Sequence, residues 1–533
     1  MLFLAFLAPL SAASPWTMTR LDLRVRLEPS QHRLYAQAHM VLRRTGQEPT
    51  DRLKLAFARP HGEFVGVTSS TGAAALSADK QRLEIRIPRP TAPGSEVEVE
   101  FTFRSLPRSL PVPDSFAVSD QSVVANAGDR WYPFPEDGSF EAPGRLEVEM
   151  PRHWKAVATG QAAEPVAEPQ QRGRKVLAWK VTRPAGRSFA AGPFSWRRLQ
   201  RGGLTIELFY PPEEVADPSD TVASMAVMLM PLEKRFGSFP WNPFQVVLLP
   251  ASTTSLGGAP AEQMFAASAG ALKAPKIFEL VFAHESAHAW WWFQVRPEED
   301  APLLLSESLA QYGYVISLEE RAGKAAALSF LNDGLPGLRF ASARGYAEMW
   351  KQGRDRPLAE VAGGTPGDDN FRLAWIKGAW FLHMLRDFVG DQAFFQALGR
   401  ILEEFQDRKL TLEDFQRHFQ LASQDRAVLN RFWDQWLRRR GMPVLQADWN
   451  PEPREGAGCS AVIRQEADPY LLDLEIEIRS ASGSRITERR IGDRSGEITF
   501  SCPAEPFEIR LDPRGRLLIW RPEWGPAPLG NAR

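Results

Sequence analysis

The stretch HESAH at residues 284–288 is the part of this sequence that most clearly predicts both fold and chemistry. It lies in an apolar segment that starts at Pro275, a residue suited to the first turn of a helix, and runs to Phe293 without a helix breaker. Residues four apart on a helix share a face, so the imidazoles of His284 and His288 can ligate one zinc ion. Glu285 is then placed to act on a water molecule rather than to bind the metal.

A zinc site requires a third protein ligand, and Glu307 is the carboxylate best placed for that role. It follows His288 by nineteen residues, in a segment that predicts a second helix with Pro302 in its first turn. If residues 296–300 join two antiparallel helices, Glu307 returns to the histidine pair. Two histidines, one carboxylate and one open position describe a catalytic site with one Zn²⁺ per chain. The alternative is a chance match, which so short a motif permits.

Composition and charge restrict the class of protein. The chain has 533 residues, enough for several domains that each bury a core. Its formal net charge of −1 implies neither a nucleic-acid partner nor an anionic membrane surface. The sequence has no run of about eighteen apolar residues, so it predicts no transmembrane helix. The oligomeric state stays open.

The N-terminus predicts export. Residues 1–10 read MLFLAFLAPL and are followed by Ser11, Ala12 and Ala13. A short apolar stretch that ends in small residues predicts a signal peptide at residues 1–13, and hence a secreted or periplasmic protein. The basic residues that usually precede such a stretch are missing. A mis-assigned start codon or a buried N-terminal strand would also account for the pattern.

The two cysteines of the chain, Cys459 and Cys502, flank strand-like segments near the C-terminus. In an oxidising compartment they could form a disulfide, which adds ~4 kcal/mol to stability in the chain-entropy model. Two unpaired buried thiols account for the sequence nearly as well. Their number and their distance along the chain from HESAH argue against a role as zinc ligands.

Strand and helix patterns divide the chain into three parts and predict a multidomain α and β protein. Residues 16–199 alternate apolar and polar side chains between turns, which predicts a β-sandwich-like domain. Residues 200–440 begin with strands and become mostly helical, which predicts an α+β catalytic domain. Alternation returns in residues 441–525 and predicts a small C-terminal β domain.

Several segments together carry a family resemblance that extends over nearly the whole chain. Glu307 follows HESAH after eighteen intervening residues and lies in SESLAQY at 306–312, which is similar to the motif NEGFAxY. The segment KGAWFLHML at 377–385 is similar to YxKGxxxLxML, and FWDQWL at 432–437 resembles the end of a catalytic domain. With the order β, zinc, β, these segments resemble the zinc aminopeptidases of the membrane alanyl aminopeptidase type, within the gluzincins.

The resemblance implies a thermolysin-like catalytic domain, a zinc cofactor, a peptide substrate and hydrolysis of N-terminal residues. The implied metal ligands are His284, His288 and Glu307, and the implied general base is Glu285. Glu262, in GGAPAEQM at 257–264, is the candidate to bind the α-ammonium of the substrate by a charge-assisted hydrogen bond. Gly258 and Ala259 in the same segment are candidate substrate contacts.

Three departures from the family pattern matter for function. GGAPAEQM matches the family's GAMEN loop only with an apparent insertion, so Glu262 is equally well explained as a solvated loop residue. The segment VVAN at 123–126 lacks the Gln or Glu that helps to hold the amine. The tyrosine of YxKG, which steadies the oxyanion, is replaced by Trp375. The candidate oxyanion donors are Trp375, otherwise a packed core aromatic, and Tyr346, which we expect in a loop.

The sequence therefore predicts a zinc-dependent peptidase, and in particular an aminopeptidase in which Glu285 deprotonates the attacking water. One alternative is a zinc endopeptidase of the same fold, because the amine anchor is weak. The other is a zinc-binding scaffold protein with little or no turnover, because Trp375 replaces the tyrosine. The retained Glu285 argues against the scaffold, since this carboxylate has no role as a ligand.

Overall fold

The computed structural model describes most of the chain. The described residues are 15–46, 50–57, 61–69, 73–136, 140–338, 342–364, 367–423, 425–449, 458–501, 503 and 505–528. The predicted signal peptide and Cys502 lie outside them, and Cys459 is disulfide-bonded. The chain divides into two compact units. The first unit comprises residues 1–230, 238–289 and 364–367, and the second comprises residues 231–237, 290–363 and 368–533.

The first unit opens with a β-rich region. The strands are β1 (Trp16–Glu28), β2 (Arg33–Arg44), β3 (Thr50–Ala56), β4 (Gly62–Ser69), β5 (Ala73–Leu76), β6 (Arg82–Thr91), β7 (Glu96–Ser105), β8 (Phe116–Val118), β9 (Val123–Ala125), β10 (Phe134–Pro135), β11 (Ala142–Pro151), β12 (Lys155–Ala158), β13 (Gln161–Ala163), β14 (Arg174–Ala185) and β15 (Phe189–Gly192). The sheet orders are β13-β14-β11-β1-β2-β7-β4, β10-β3-β6-β5 and β12-β15-β9-β8. Leu21, Leu23, Val25 and Leu27 of β1 are all buried, as their alternation predicts. Many buried side chains of these sheets form one apolar cluster, and others from the third sheet belong to a second cluster that includes residues of β18 and β20.

A further sheet of the first unit precedes the HESAH helix. Its strands are β16 (Ser195–Arg201), β17 (Leu204–Tyr210), β18 (Phe244–Leu249), β19 (Ala259–Ala261) and β20 (Met264–Ser268), in the order β16-β17-β18-β20-β19. The inner strands run parallel, whereas β16 and β19 pair antiparallel at the edges. Helix α1 (Ser219–Phe236) links β17 to β18 along the chain, and helix α2 (Pro275–Ala287) follows β20 after a 3-10 turn at Ala269–Lys273.

Helix α2 ends earlier than the sequence predicts. No residue before Phe293 breaks a helix, yet the α-helix ends at Ala287 and a π-helical turn at Ala289–Gln294 follows. Within this turn Trp291 (φ −102°, ψ 60°) and Trp292 (φ 166°, ψ −47°) leave helical geometry. Trp291 is fully buried, so the packing of adjacent bulky rings overrides the local helical preference.

The second unit is mainly helical and ends in strands. Its helices are α3 (Glu307–Ala322), α4 (Lys324–Asp333), α5 (Ala343–Lys351), α6 (Asp369–Leu373), α7 (Ala379–Val389), α8 (Asp391–Glu404), α9 (Leu412–Ala422) and α10 (Arg426–Leu437). Its strands are β21 (Arg296–Pro297), β22 (Lys409–Leu410), β23 (Val444–Trp449), β24 (Gly458–Glu466), β25 (Leu472–Ser480), β26 (Gly483–Ile491), β27 (Ser495–Ser501) and β28 (Phe507–Leu511). The last six form sheets of order β23-β24-β27 and β26-β25-β28.

This arrangement confirms the multidomain α and β class, with a β-rich N-terminal region and a helical region further along the chain. The domain limits 16–199, 200–440 and 441–525 stay predictions. In the part of the chain that the structure describes, no helix is long and apolar enough to cross a membrane.

His383, a half-buried residue on α7, should make the stability of the second unit dependent on pH. Its ring lies 5.8 Å from that of Trp380, and Nδ1 lies 3.4 Å from the Tyr312 hydroxyl. Burial, and then the charge of Arg386, lower the pKa of His383 from 6.5 to about 4. Because the unfolded histidine binds a proton more readily, the free energy of unfolding should fall by roughly 2–3 kcal/mol as pH decreases from about 6.5 to about 4.

We expect denaturant titrations to show this loss in the native protein and a weaker pH dependence in His383→Leu. Other groups also titrate in this window, so the difference between the two slopes, rather than either slope alone, measures the contribution of His383. Equal slopes would assign the pH dependence to those other groups.

Candidate metal centre

Three side chains of the first unit converge at the end of α2. Among the described residues, His284, Glu285 and His288 each offer one possible ligand atom, and these atoms lie within 4.8 Å of one another. The centroids of the two imidazole rings are 5.0 Å apart. His288 caps the helix with helical dihedral angles (φ −61°, ψ −16°), so the i, i+4 relation to His284 persists although α2 ends at Ala287.

The donor set of this cluster fits a zinc ion. The exposed fractions of His284, Glu285 and His288 are 3%, 1% and 0%. Burial of a carboxylate beside two imidazoles is costly unless a positive charge accompanies it, and a divalent cation supplies that charge. Donor atoms about 2.0–2.1 Å from one zinc ion lie at most about 4.2 Å apart, and the 4.8 Å upper limit on the separations in this cluster is compatible with that geometry.

Aromatic packing and a glycine hold α2 against the sheet. The Phe265 ring of β20 lies 5.2 Å from that of Phe282 on α2. A Cβ added to Gly258 would lie 2.5 Å from Val281 Cγ1 and 2.8 Å from the Phe265 ring. Only glycine allows so close an approach, so the structure gives Gly258 a packing role. Ala259 is buried and pairs with Ala266 in the β19–β20 hairpin. Substrate contact by Gly258 and Ala259 stays a prediction.

Glu262 lies in the turn between β19 and β20, where it forms an ion pair. Its Oε1 accepts a hydrogen bond from Arg183 Nη2 at 3.0 Å, and the side chain is 11% exposed. With Trp241 and Gln263 it lines a cavity of about 260 Å³, and no residue of HESAH is among the described residues lining it. A substrate ammonium that bound Glu262 would therefore share the carboxylate with Arg183 or replace it.

Asn126, in the segment that lacks an acid, has a structural contact that the sequence did not reveal. Its Nδ2 donates to the carbonyl of Pro260 at 3.0 Å. Its Oδ1 accepts from the Gly128 amide and caps a 3-10 turn. The side chain thereby links β19 to the N-terminal β-rich region. The feature of the sequence that could have indicated this contact is the amide side chain in VVAN.

Glu307 is the first residue of α3 in the second unit. A 3-10 turn at Leu303–Leu305 separates it from Pro302, so the helix starts later than the sequence predicts. The side chain is 4% exposed, and its Oε2 accepts a hydrogen bond from the indole Nε1 of Trp375 at 2.9 Å. The sequence did not reveal this contact, although Trp375 stands where the family pattern has a tyrosine and was therefore already identified as an unusual position. Ligation of zinc by Glu307 stays a prediction.

The two candidate oxyanion donors have other hydrogen-bond partners. The single N–H of the Trp375 side chain is directed at Glu307. Tyr346 lies in α5, so the expected loop placement is wrong. Its hydroxyl oxygen lies 2.7 Å from Asp355 Oδ2 and 2.9 Å from the carbonyl of Gly441. A tyrosine hydroxyl has one proton, which these acceptors engage, so we do not retain Tyr346 as an oxyanion donor.

The helical site region also matches a known family. Residues 261–436 match the family model of the peptidase family M1 domain. The matched range includes the HESAH cluster as well as Glu307 and Trp375. The site and the match define a metallopeptidase-type hydrolase, in a family whose members depend on zinc. Residues 261–436 thus carry a peptidase family M1 domain, which supports the resemblance to the M1 aminopeptidase gluzincins inferred from the motifs.

Proposed function

We propose that this protein is a zinc-dependent aminopeptidase that removes N-terminal residues from peptides. The observation that carries the proposal is the buried cluster of His284, Glu285 and His288 inside a peptidase family M1 domain. In the proposal, His284, His288 and Glu307 hold one zinc ion per chain. When bound, zinc supplies a Lewis acid that polarises the scissile carbonyl and lowers the pKa of the attacking water.

Glu285 is the general base of the proposed reaction. Its carboxylate takes a proton from the attacking water while the water oxygen bonds to the carbonyl carbon. Glu285 then passes the proton to the peptide nitrogen as the C–N bond breaks, which gives a free amino acid and a peptide one residue shorter. Its retention in a buried cluster supports turnover over a scaffold role. We also retain export to the periplasm or the exterior as a proposal.

Selectivity for a free N-terminus requires a group that binds the α-ammonium, and Glu262 is the candidate. Its ion pair with Arg183 is the observation that favours a second function, a zinc endopeptidase of the same fold. An endopeptidase needs no group that binds the substrate ammonium, so Glu262 can stay paired with Arg183 while substrate is bound.

Parallel assays with two kinds of substrate test the proposal. We expect hydrolysis of aminoacyl fluorogenic substrates and little cleavage of an internally quenched, N-acetylated peptide. A chelator should abolish the activity, and added zinc should restore it. Equal activity on both substrates would favour the endopeptidase, and zinc binding without turnover would favour the scaffold.

Two variants test the amine anchor. If Glu262 binds the ammonium, Glu262→Ala should raise KM for free-amine substrates about ten- to a hundredfold, since a hydrogen bond to a charged group contributes roughly 1.5–3 kcal/mol. Arg183→Ala should lower KM for the same substrates, because it removes the group that competes with the ammonium. Acetylated substrates serve as the control for both. If KM is unchanged and only the melting temperature falls, the ion pair between Glu262 and Arg183 stabilises the protein and does not bind substrate.

A further inference from the structure

The contact between Trp375 and Glu307 is short, buried and charge-assisted. The distance from Nε1 to Oε2 is 2.9 Å, and the two residues are 8% and 4% exposed. Indole is a donor only, and a hydrogen bond to an ionised carboxylate is roughly twice as strong as one between neutral groups. The bond engages Oε2 and therefore fixes the rotation of the Glu307 carboxylate.

The backbone around this contact lets α3 lie close to the helical turn that contains Trp375. Trp375 lies in a π-helical turn at Ala374–Gly378, between α6 and α7, and such turns are frequent at functional sites. Ser308 Oγ donates to the carbonyl of Ala374 at 2.7 Å. A Cβ added to Gly378 would overlap the Ser308 side chain. These contacts involve neighbours of Glu307 and Trp375, so they hold the start of α3 and the π-helical turn in one register.

Tryptophan contributes a hydrogen-bond donor at this position in addition to its packing. The Trp375 ring meets that of Phe371 edge to face, with centroids 6.0 Å apart, a contact that phenylalanine could also make. What tryptophan adds is the N–H group, and this N–H points at the carboxylate. Groups that hydrogen-bond to a metal ligand orient it, and their loss typically weakens metal binding 10- to 100-fold.

We propose that Trp375 is a positioning residue for zinc, which holds the Glu307 carboxylate in the orientation that binds the metal. The inference rests on the proposed zinc-binding function. It assigns Trp375 to metal affinity rather than to stabilisation of the oxyanion, and it accounts for the exchange of the family's tyrosine by a residue with a different donor.

Zinc affinity, measured by competition with a fluorescent chelator, tests this proposal without an activity assay. We expect Trp375→Phe to raise the zinc Kd about 10- to 100-fold, because it removes the N–H and keeps an aromatic ring. Trp380→Phe is the matched control, since the fully buried Trp380 donates an equally long hydrogen bond, 2.9 Å, to the carbonyl of Leu331. The control should lower the stability of the metal-free protein and leave the zinc Kd unchanged.

Two further replacements keep the test decisive if Trp375→Phe fails to fold. Replacement of Trp375 by 3-benzothienylalanine preserves the shape of the ring and removes only the N–H, and should weaken zinc binding to the same degree. Gly378→Ala should weaken it as well, because the added methyl group displaces Ser308 beside Glu307.

The failure of this inference differs from failure of the proposed function. A native zinc Kd in both Trp375→Phe and the benzothienylalanine protein would overturn the positioning role and leave the zinc peptidase proposal intact. Absence of zinc binding in the native protein would overturn the proposed function and this inference with it.

Discussion

Glu285→Gln should bind zinc normally and hydrolyse peptides roughly 10²–10⁴-fold more slowly than the native protein, the range typical of general acid–base catalysis. The amide keeps the size of the side chain but cannot take a proton from the attacking water. Glu285 is only 1% exposed, so water from bulk solvent has little access to the site and does not readily replace this carboxylate as the base. Turnover number and zinc content, measured on the same preparation, give the result.

His288→Ala provides the comparison for this variant. It removes one of the two imidazoles in the cluster, so we expect it to lose most of the zinc. The two variants thus separate chemistry from metal binding. If Glu285→Gln also emptied the site, Glu285 would be a ligand and its assignment as the base would be wrong.

Local spacing was sufficient to predict the cluster of His284, Glu285 and His288. The i, i+4 relation between His284 and His288 is a property of one short helical segment, so it could be predicted without knowledge of the fold. The same holds for the capping box at the start of α9. Thr411 followed three residues later by Asp414 predicts it, and the reciprocal hydrogen bonds between their side chains and backbone amides are present.

Contacts between distant segments could not be predicted from such patterns. Trp375 and Glu307 are 68 residues apart, and Glu262 and Arg183 are 79 apart, so nothing in the local sequence around either residue indicates its partner. The Trp291 backbone leaves helical geometry because its ring is buried, which is a tertiary effect that overrides helix propensity. The two long-range side-chain contacts involve the substrate candidate Glu262 and the oxyanion candidate Trp375, whereas the cluster predicted in HESAH is formed.

Lys377 and Asp355 form a buried ion pair on which the stability of the second unit should depend. Lys377 Nζ lies 3.1 Å from Asp355 Oδ1, and the side chains are 1% and 2% exposed. The ammonium also donates to the carbonyls of Arg356 and Arg439 at 3.1 and 3.0 Å, and Asp355 contacts the Tyr346 hydroxyl. Burial lowers the pKa of Lys377, and the charge and hydrogen bond of Asp355 oppose that effect.

Lys377→Met should lower the free energy of unfolding by about 3–5 kcal/mol, because it leaves the Asp355 carboxylate buried without its cation. Urea unfolding of the metal-free protein measures this loss. Lys234→Met is the control, since Lys234 pairs with Glu320 at the surface with 63% of its side chain exposed, and should cost at most about 1 kcal/mol.

The double variant Lys377→Met/Asp355→Leu shows whether the cost comes from the charge or from packing. Replacement of both partners removes the unpaired carboxylate, so the double variant should be more stable than Lys377→Met alone. A loss below about 1 kcal/mol in Lys377→Met would contradict the buried ion pair. If the π-helical turn that contains Trp375 depends on this pair, Lys377→Met should also weaken zinc binding, and the double variant should restore part of it.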